Sequence, residues 1–538
     1  MELDLRNKKI LLVDDFSEFR FSVKKMLQSG GASNIDDVSN GEDAIDRMSR
    51  KTYDIVLCDY NLGQDKKDGQ QILEEAKHRG FLKTSTIFIM VTAENTMDMV
   101  MGAIEYQPDD YMTKPFTKEV LSNRVSRLLD KKAALKDIEK AMSREDYKRV
   151  IELCDALLAA NPKNAMEIFK IKSDALMLAG QHDEAINILE KVLSSRDLPW
   201  ARLGIGKIYF LKKNYIEAKD YFQDIIGNYK TYMEAYDWLA KTLVELGDQQ
   251  TAQKTLEEAV ALSPKSILRQ RSLGELALKN NDHDTAEKSF KRSVTMGKTS
   301  IYKSAKDYTG LAKTIMEAKK NPVDALTILK DAEKDFLSNP EVMMQTSAME
   351  GVIYKKIGHE DKAKEAIAKA SAIMDEIGSK VSPEVAMDVA KSFFDVGETE
   401  KGQKVMHDVV QNNHDDEEIL KKVQDAFNDA NLQDVGKEMI SSTKQEIIKI
   451  NNEGVNLVKK GKLSEAIEVF DKAADGLPQN KIVNANAAQA LIMIIQKEGK
   501  NDKYLYQCKK YLDRLRKIDP NYPKFQQLVK VFSEINTA

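Results

Sequence analysis

Three carboxylates near the N-terminus could act together on a phosphoryl group. Asp59 ends an apolar, β-branched run, Ile55–Cys58, that is typical of a buried parallel strand. Asp14 and Asp15 end a second apolar run. A buried carboxylate needs a partner, and like charges at close range repel each other, so this cluster requires a cation. Oxygen ligands that leave room for water and a phosphate suit Mg²⁺, which we therefore expect as the cofactor.

Two further side chains would complete such a site. Thr92 ends the apolar run TIFIMVT and offers a hydroxyl, and Lys114 in YMTKPF offers a cation. The reaction that these groups suit is attack of the Asp59 carboxylate on phosphorus, which forms an acyl phosphate. Mg²⁺ and Lys114 would neutralise the charge on the equatorial oxygens, and Thr92 would hydrogen-bond the new phosphoryl group.

The segments that must position these groups alternate between strand-like and helix-like patterns up to about residue 130. Strands are predicted at 8–14, 34–39, 54–59, 86–92 and 110–113. Helices are predicted at 16–28, 42–48, 69–77, near 96–105 and from 117 onward. Such alternation indicates a parallel sheet covered by helices on both faces, with ligands at the carboxyl ends of its strands.

From about residue 133 the pattern is helical and repeats itself. The segments NYIEAKDYF, DQQTAQKTL and DHDTAEKSF align on Ala218, Ala252 and Ala286, which are spaced 34 residues apart. In the same frame, Gly206 and Gly274 precede their alanines by twelve residues. Small residues at these positions would let two antiparallel helices approach closely, while a larger apolar residue fills the gap to the next pair.

This pattern resembles the tetratricopeptide repeat, and the best single copy is NEGVNLVKKGKLSEAIEVFDKAADGLPQN at 452–480. The resemblance implies an all-α superhelical solenoid of about ten helix pairs over 131–538, with a groove that binds a protein target. An unrelated helical solenoid such as a HEAT-like array is the alternative. The groove positions of the clearest repeats are chemically mixed and lack the Lys/Asn set that clamps a C-terminal carboxylate: Lys207, Phe210, Asp237, Lys241, Glu245, Arg271 and Glu275.

The motifs ILLVDD, IVLCDYN, IMVTAE and YMTKPF occur in this order over residues 8 to about 130. Together they resemble the receiver domain of bacterial two-component response regulators, close to the single-domain chemotaxis type. The resemblance implies an α/β domain over 1–130, with a flavodoxin-like parallel sheet of five strands in the order 2-1-3-4-5. It also implies a sensor histidine kinase or a phosphotransfer protein as the phosphoryl donor.

The resemblance assigns a role to each site residue. Asp59 matches the phosphoryl acceptor, Asp15 a direct metal ligand and Asp14 a mainly water-mediated one, with Asp59 and the backbone carbonyl of Asn61 completing the metal site. Thr92 and Tyr111 match the switch pair, in which the hydroxyl moves toward the phosphate and the ring rotates inward. Lys114 matches the lysine that contacts the phosphoryl group and precedes a cis proline, here Pro115. Asn61 and Glu94 match positions that tune dephosphorylation.

Two segments depart from the family pattern. The loop after Asp59, NLGQDKKDG, is longer and more charged than usual, with Asp65, Lys66 and Lys67 beside the site. We expect these residues to affect kinase docking or access to the phosphate. Gln107-Pro108 replaces the usual Gly-Ala before the last strand. We expect this replacement to change the backbone shape there and the mobility of the switch.

Composition narrows the class and the compartment. At 538 residues, with 42% hydrophobic and 31% charged residues, the chain fits a soluble protein of several domains. A net charge of −4 gives no reason to expect nucleic-acid binding. Cys58, Cys154 and Cys508 lie far apart, which favours a reducing compartment. Acids interrupt any N-terminal signal segment, and the longest aliphatic run, Ala490–Ile495, is too short to span a membrane. We therefore expect a cytoplasmic protein without membrane insertion.

The two halves of the chain suggest a regulator rather than an enzyme, apart from its own phosphorylation and dephosphorylation. The favoured hypothesis is a response regulator whose phosphorylation alters protein binding by the repeats. One alternative is a constitutive scaffold whose receiver only docks a kinase or forms homo-oligomers. Another is a phosphate sink or phosphorelay intermediate. No Pro or Gly occurs between Phe116 and Ala160, so we expect the last receiver helix to run almost straight into the first repeat helix.

Overall fold

The computed structural model describes residues 5–63, 66–83, 85–93, 105, 107–160, 162, 164–337, 339–378, 381–519 and 522–537. The chain forms two compact units, Met1–Thr314 and Ile315–Ala538, and most contacts between residues lie within one unit or the other. Within the described residues, no helix is both long enough and apolar enough to cross a bilayer.

A five-stranded parallel sheet forms the first part of the chain. Its strands are β1 (Lys9–Val13), β2 (Asn34–Val38), β3 (Ile55–Asp59), β4 (Ile87–Thr92) and β5 (Asp110–Thr113). Their order is β2-β1-β3-β4-β5, which confirms the predicted sheet. Register pairs Val13 with Cys58 and Asp59 with Val91, so the carboxyl ends of the three central strands lie side by side.

Apolar side chains on both faces of the sheet explain why the central strands read as continuous hydrophobic runs. Every residue of β3 and β4 is buried. The helices Ser17–Gln28, Gly41–Arg50 and Gly69–His78 follow the first three strands, and Lys118–Met142 follows β5. The predicted helix near 96–105 lies outside the described residues except for Glu105.

The helix Lys118–Met142 contributes to two hydrophobic cores. Leu121 and Val125 pack into the core beneath the sheet, and Leu135 and Ile138 pack against the next helix, Tyr147–Ala159. The predicted continuity is therefore correct as far as Met142. The second half of this helix packs against Tyr147–Ala159 as the first member of a helix pair, so the prediction that the last receiver helix runs into the first repeat helix is confirmed. A turn follows Met142, and Glu145 there has a φ of 56°. The predicted boundary between the receiver domain and the repeat array, near residue 130, falls inside this helix. That boundary stays a proposal.

The remainder of the first unit is helical. After Lys118–Met142 its helices are Tyr147–Ala159, Ala165–Leu178, His182–Ser195, Pro199–Leu211, Tyr215–Asn228, Met233–Glu245, Gln249–Leu262, Ile267–Lys279, His283–Gly297 and Ala305–Glu317, the last of which reaches the unit boundary. Neighbouring helices pack at the positions that the 34-residue period predicted. Ala218, Ala252 and Ala286 are fully buried. A Cβ on Gly206 would lie 2.6 Å from the Phe222 ring, which confirms close approach at this small residue.

The second unit is also helical. Its helices are Pro322–Asp335, Pro340–Lys356, Glu360–Ile377, Pro383–Val396, Thr399–Asn412, Glu417–Asp429, Gln433–Lys459, Leu463–Gly476, Lys481–Glu498, Asp502–Ile518 and Pro523–Thr537. The best repeat copy shows the same packing as the first unit, since Gly454 lies directly against the buried ring of Phe470. A Cβ at Gly454 would collide with that ring, so the position requires glycine unless the helices separate.

Candidate functional site

Strand β3 carries Asp59 to the edge of the sheet. Ile55 to Cys58 are at most 3% exposed, and Asp59 itself is 7% exposed. The helix Gly69–His78 begins directly beside this residue, where a Cβ on Gly69 would collide with the carbonyl oxygen of Asp59. Asp59 thus ends a core strand, and its backbone lies against a helix N-terminus. These two contacts hold its carboxylate in a defined place.

The three predicted acids meet at this edge. Asp14, Asp15 and Asp59 each offer one carboxylate oxygen, and these oxygens lie within 4.8 Å of one another. Asp14 is 3% exposed and Asp15 is exposed. They come together because β1 and β3 are parallel neighbours that end at the same level. The cluster therefore has a buried side and a side open to solvent.

Lys114 closes the buried side of the acid cluster. Its Nζ donates hydrogen bonds of 2.7 Å to Oδ2 of Asp59 and 2.5 Å to Oδ2 of Asp14. The backbone N–H of Lys114 binds the carbonyl of Thr92 at 2.6 Å, and the peptide bond to Pro115 is cis, as the receiver resemblance implies. The ammonium group also lies 4.2 Å from the centroid of the Phe19 ring.

Electrostatics at the site favour a further cation. Burial raises the pKa of Asp59 to about 6, even though the hydrogen bond from Lys114 opposes the shift. Burial by itself would lower the pKa of Lys114, but its hydrogen bonds with Asp14 and Asp59 raise it above the usual value. Lys114 pairs with two of the three carboxylates, Asp14 and Asp59, and the donor set of the cluster consists of oxygen alone. The residues therefore fit a hard divalent cation such as Mg²⁺.

The predicted switch residues lie beside the acids. Thr92 is 1% exposed and stands one position beyond Val91, which pairs with Asp59 across the sheet. Tyr111 pairs with Met90 on the neighbouring strand and is half-buried against the core. Burial raises the pKa of the Tyr111 phenol, and the neighbouring Thr92 hydroxyl opposes this shift. The sheet thus brings both switch candidates to the edge that carries Asp59.

Asn61 and Glu94 were predicted to tune dephosphorylation. The backbone N–H of Asn61 donates to Oδ1 of Asp59 at 3.3 Å, and its side-chain oxygen accepts from Gly63 at 3.1 Å. Asn61 is exposed, so its carbonyl and side chain stand at the open rim of the site. Glu94 lies outside the described residues.

The two segments that depart from the family pattern are the loop after Asp59 and Gln107-Pro108. Both have defined structures where their residues are described. Lys67 is largely buried and forms an ion pair with Glu75 of the following helix, so its charge is neutralised within the domain. Gln64 and Asp65 lie outside the described residues. Gln107 has a φ of 47°, a left-handed conformation that is uncommon for residues other than glycine, and its carbonyl accepts from Nζ of Lys77 at 3.1 Å. The Gln107-Pro108 replacement therefore does coincide with an unusual backbone shape before β5.

Other polar residues near the site were missed by sequence reasoning. Lys265 and Arg269 of the repeat region contact the receiver at Tyr60 and Glu105. No local signal could have indicated them, because 205 and 164 positions separate the partners. Arg271, one of the predicted groove positions, binds Asp307 through Nε at 2.7 Å.

Comparisons with known proteins agree with the geometry. Residues 10–126 match the response regulator receiver domain family, and residues 234–266 match the tetratricopeptide repeat family. Chemotaxis protein CheY-3 of Vibrio cholerae is 30% identical over 130 residues, which are 23% of this chain and 95% of that protein. Chemotaxis protein CheY of Pseudomonas aeruginosa is 30% identical over 127 residues, which are 23% of this chain and 97% of that protein.

Solved structures include similar chains as well. The BeF3-activated DrrB receiver domain is 30% identical, with a TM-score of 0.20, over 23% of this chain and 97% of that chain. This chain covers almost the whole length of the two curated relatives, and most of its own length lies beyond them. By its N-terminal domain, the chain belongs to the response regulator receiver family.

Proposed function

We propose that the chain accepts a phosphoryl group on Asp59 from a histidine kinase or phosphotransfer protein and relays that state to its repeats. One observation carries the proposal. Nζ of Lys114 lies 2.7 Å from Asp59 and 2.5 Å from Asp14, where Asp15 supplies a third carboxylate. A lysine and an acid cluster at one sheet edge are the groups that a phosphoryl acceptor needs, because charge stabilisation does most of the work in phosphoryl transfer.

In the proposed transfer, a carboxylate oxygen of Asp59 attacks the phosphorus of a phosphohistidine. The new P–O bond forms as the P–N bond breaks, and the donor imidazole leaves with the bonding electron pair. Lys114, already in hydrogen-bond contact with Asp59, stabilises the charge on the transferred oxygens, and the Thr92 hydroxyl binds the product. Asp14, Asp15, Asp59 and the carbonyl of Asn61 would hold Mg²⁺. When bound, this ion neutralises negative charge on the phosphoryl oxygens.

The remaining roles follow the receiver family. We assign Thr92 and Tyr111 to the conformational switch, and Asn61 and Glu94 to the control of dephosphorylation. Support for the first pair is their position on β4 and β5 next to Asp59. Asn61 is supported by its exposed position and its backbone contact with Asp59.

The proposed output is protein binding by the repeats. Support comes from the tetratricopeptide match at residues 234–266 and from an adjacent groove of about 570 Å³. The groove is lined by acidic, basic and apolar side chains, which suits a peptide or protein surface better than a small apolar ligand.

Labelling with acetyl phosphate tests the acceptor. With Mg²⁺, radiolabelled acetyl phosphate should label the wild-type chain and an Asp46→Asn control, which alters an exposed acid paired with Arg50. Asp59→Asn or chelation of Mg²⁺ should abolish the label. Equal labelling of Asp59→Asn and wild type would refute the assignment, and so would an unlabelled wild-type chain of intact circular dichroism.

Target binding tests the output. Partners bound by the wild-type chain should change in identity or affinity when beryllofluoride and Mg²⁺ are added, and Asp59→Asn should not respond. Identical partners and affinities in both states would instead support the constitutive scaffold. Rapid transfer of label from Asp59 to a phosphotransfer protein, without any change in binding, would support the phosphorelay alternative.

A further inference from the structure

Polar contacts join the receiver to the repeat helices inside the unit Met1–Thr314. Nζ of Lys265 donates to the hydroxyl of Tyr60 at 3.2 Å and lies 4.9 Å from the centroid of its ring. The Thr299 hydroxyl donates to Oε1 of Gln71 at 3.1 Å. Nε2 of Gln71 donates to the carbonyl of Met296 at 3.4 Å. The receiver surface involved is therefore the loop after β3 and the start of the helix Gly69–His78.

A buried ion pair anchors a second part of the same interface. Nη2 of Arg269 lies 2.7 Å from Oε1 of Glu105, and the Ser263 hydroxyl donates to Oε2 of Glu105 at 2.8 Å. Arg269 also binds both oxygens of Asp237 at 2.8 Å, and its side chain is only 1% exposed. Bidentate arginine–carboxylate pairs are directional, and loss of a partner leaves a buried charge uncompensated. Arg269 and Ser263 of the repeats thus form a carboxylate-binding site, and Glu105 of the receiver occupies it.

The first contact region connects directly to the acceptor through Tyr60 and Gln71. Tyr60 follows Asp59 in the chain, and its backbone N–H binds the carbonyl of Val91, the residue before Thr92, at 2.8 Å. Gln71 and Asp68 form a reciprocal cap at the start of the helix Gly69–His78, where Gly69 touches Asp59. A rearrangement at Asp59 or Thr92 would therefore reach the interface through one or two residues.

The docked arrangement occurs together with direct contacts of Lys114 at the acceptor site. Lys114 binds the carboxylates of Asp59 and Asp14 directly, so a phosphoryl group on Asp59 would have to displace it from its present partners. Tyr60 and Gln71 are satisfied by the repeats in this same arrangement. A modification shifts a conformational equilibrium toward the state that it stabilises. A phosphoryl group that disfavours the present contacts of Lys114 therefore also disfavours the docked position of the receiver.

The receiver also shapes the groove of the repeats. Asp237, Lys241, Glu245, Arg269 and Glu275 line the groove of about 570 Å³, and Glu105 of the receiver forms part of its wall. Withdrawal of Glu105 would remove that wall and leave a carboxylate site open at Arg269 and Ser263. The shape and charge of the groove therefore depend on where the receiver lies.

We propose that Ser263, Lys265, Arg269 and Thr299 form a docking surface whose occupant is the unphosphorylated receiver of the same chain, held through Tyr60, Gln71 and Glu105. Phosphorylation of Asp59 releases the receiver and opens the groove at Arg269. This inference rests on the proposed phosphorylation of Asp59. To that proposal it adds the docking surface whose occupancy depends on phosphorylation, and the residues that form the contact.

Disulfide trapping tests the docked state in the full-length chain. The double variant Gln71→Cys/Thr299→Cys should cross-link within one chain under mild oxidation, whereas either single variant should not. The native Cys58, Cys154 and Cys508 are buried, which keeps the background low. Beryllofluoride with Mg²⁺ should slow cross-linking about fivefold or more, the range expected for coupling between two sites. Failure of the unphosphorylated double variant to cross-link would overturn the docking surface.

Labelling of Asp59 in the same double variant separates the two proposals. If Asp59 takes up label from acetyl phosphate and cross-linking is unchanged, the docking switch is wrong and the phosphoryl acceptor stands. If Asp59 takes up no label in the wild-type chain, the proposed function itself fails.

A charge variant tests the anchor without touching the acceptor. Added to the double variant, Glu105→Gln should slow cross-linking before any phosphorylation, since Arg269 loses a charged partner, and should leave labelling of Asp59 unchanged. Glu42→Gln in the same background is the matched control, because Glu42 is an exposed acid in the first turn of another receiver helix. Cross-linking that is as fast with Glu105→Gln as without it would contradict the role of the ion pair.

Discussion

Nζ of Lys114 donates a hydrogen bond of 2.7 Å to Oδ2 of Asp59, although 55 positions separate the two residues. The contact exists because β3 and β5 lie on either side of β4 and end at the same edge of the sheet. It places a cation against a carboxylate whose pKa burial raises to about 6. The lysine thus keeps the carboxylate usable as an anion at neutral pH.

Replacing Lys114 should slow phosphorylation. Lys114→Gln removes the ammonium group that would stabilise the transferred oxygens, so we expect labelling of Asp59 by acetyl phosphate to slow about tenfold. The initial rate of label uptake is the measurement. Lys118→Gln, at an exposed position in the next helix, should label at the wild-type rate. Equal rates in both variants would argue against a role for Lys114 in the transfer.

Asp15 separates metal binding from the lysine contact. It belongs to the acid cluster and is exposed, while the ion pairs of Lys114 go to Asp14 and Asp59. Asp15→Asn should therefore raise the Mg²⁺ concentration for half-maximal labelling about tenfold or more, since loss of one charged ligand weakens a hard cation site. Calorimetric titration with Mg²⁺ should show the same loss in affinity. Asp46→Asn should titrate like wild type, and unchanged affinity in Asp15→Asn would remove this residue from the metal site.

The repeat packing predicts different effects for two nearby glycines. Gly206→Ala should lower the free energy of unfolding by about 1–2 kcal/mol, because the added methyl overlaps the Phe222 ring. Gly227 also lies in a helix, but an added Cβ would meet nothing within 4 Å. Gly227→Ala should therefore be neutral or stabilise the protein by about 0.5–1 kcal/mol through helix propensity.

Urea unfolding followed by tryptophan fluorescence would report these changes. Trp238 stacks on Phe222 with a ring-centroid distance of 6.1 Å and so senses the local packing. If both glycine variants lost similar stability, close helix approach at Gly206 would not be the cause.

His414 should make the second unit sensitive to acid. The imidazole is 7% exposed, and its Nδ1 lies 2.9 Å from Nδ2 of Asn480, a donor that requires Nδ1 to be unprotonated. Burial lowers the pKa of His414 below its usual 6.5, as do Lys444 and Lys481, while Asp415 opposes the shift. Below pH 6.5 the unfolded chain therefore binds the proton first, and the free energy of unfolding falls until the pH reaches the folded pKa.

Thermal unfolding between pH 7.5 and about 5 measures this effect. His414→Gln keeps an acceptor for Asn480 and should flatten the decline in the transition of the second unit. His359→Gln, at an exposed histidine in the same unit, should keep the wild-type slope. A decline in His414→Gln as steep as in wild type would exclude His414 as its source.

Local sequence patterns predicted the strands, the helices and the residues of the receiver site. Continuous apolar runs marked β3 and β4 because both faces of these strands are covered by helices. The 34-residue spacing of Ala218 and Ala252 marked the repeats because each pair of helices buries the same small residue. The absence of Pro and Gly after Phe116 correctly indicated a long helix, but the same absence, which continues to Ala160, did not indicate the turn that follows Met142.

The sequence by itself determined which residues form strands, helices and repeats, since burial periodicity is written over a few neighbouring positions. It also placed the site residues at the ends of their strands. Only the tertiary structure decided that Glu105 meets Arg269 and that Tyr60 meets Lys265. Such pairs depend on where one folded region lies against another, and a buried charge can find its partner anywhere the chain brings one. No short stretch of sequence carries that information.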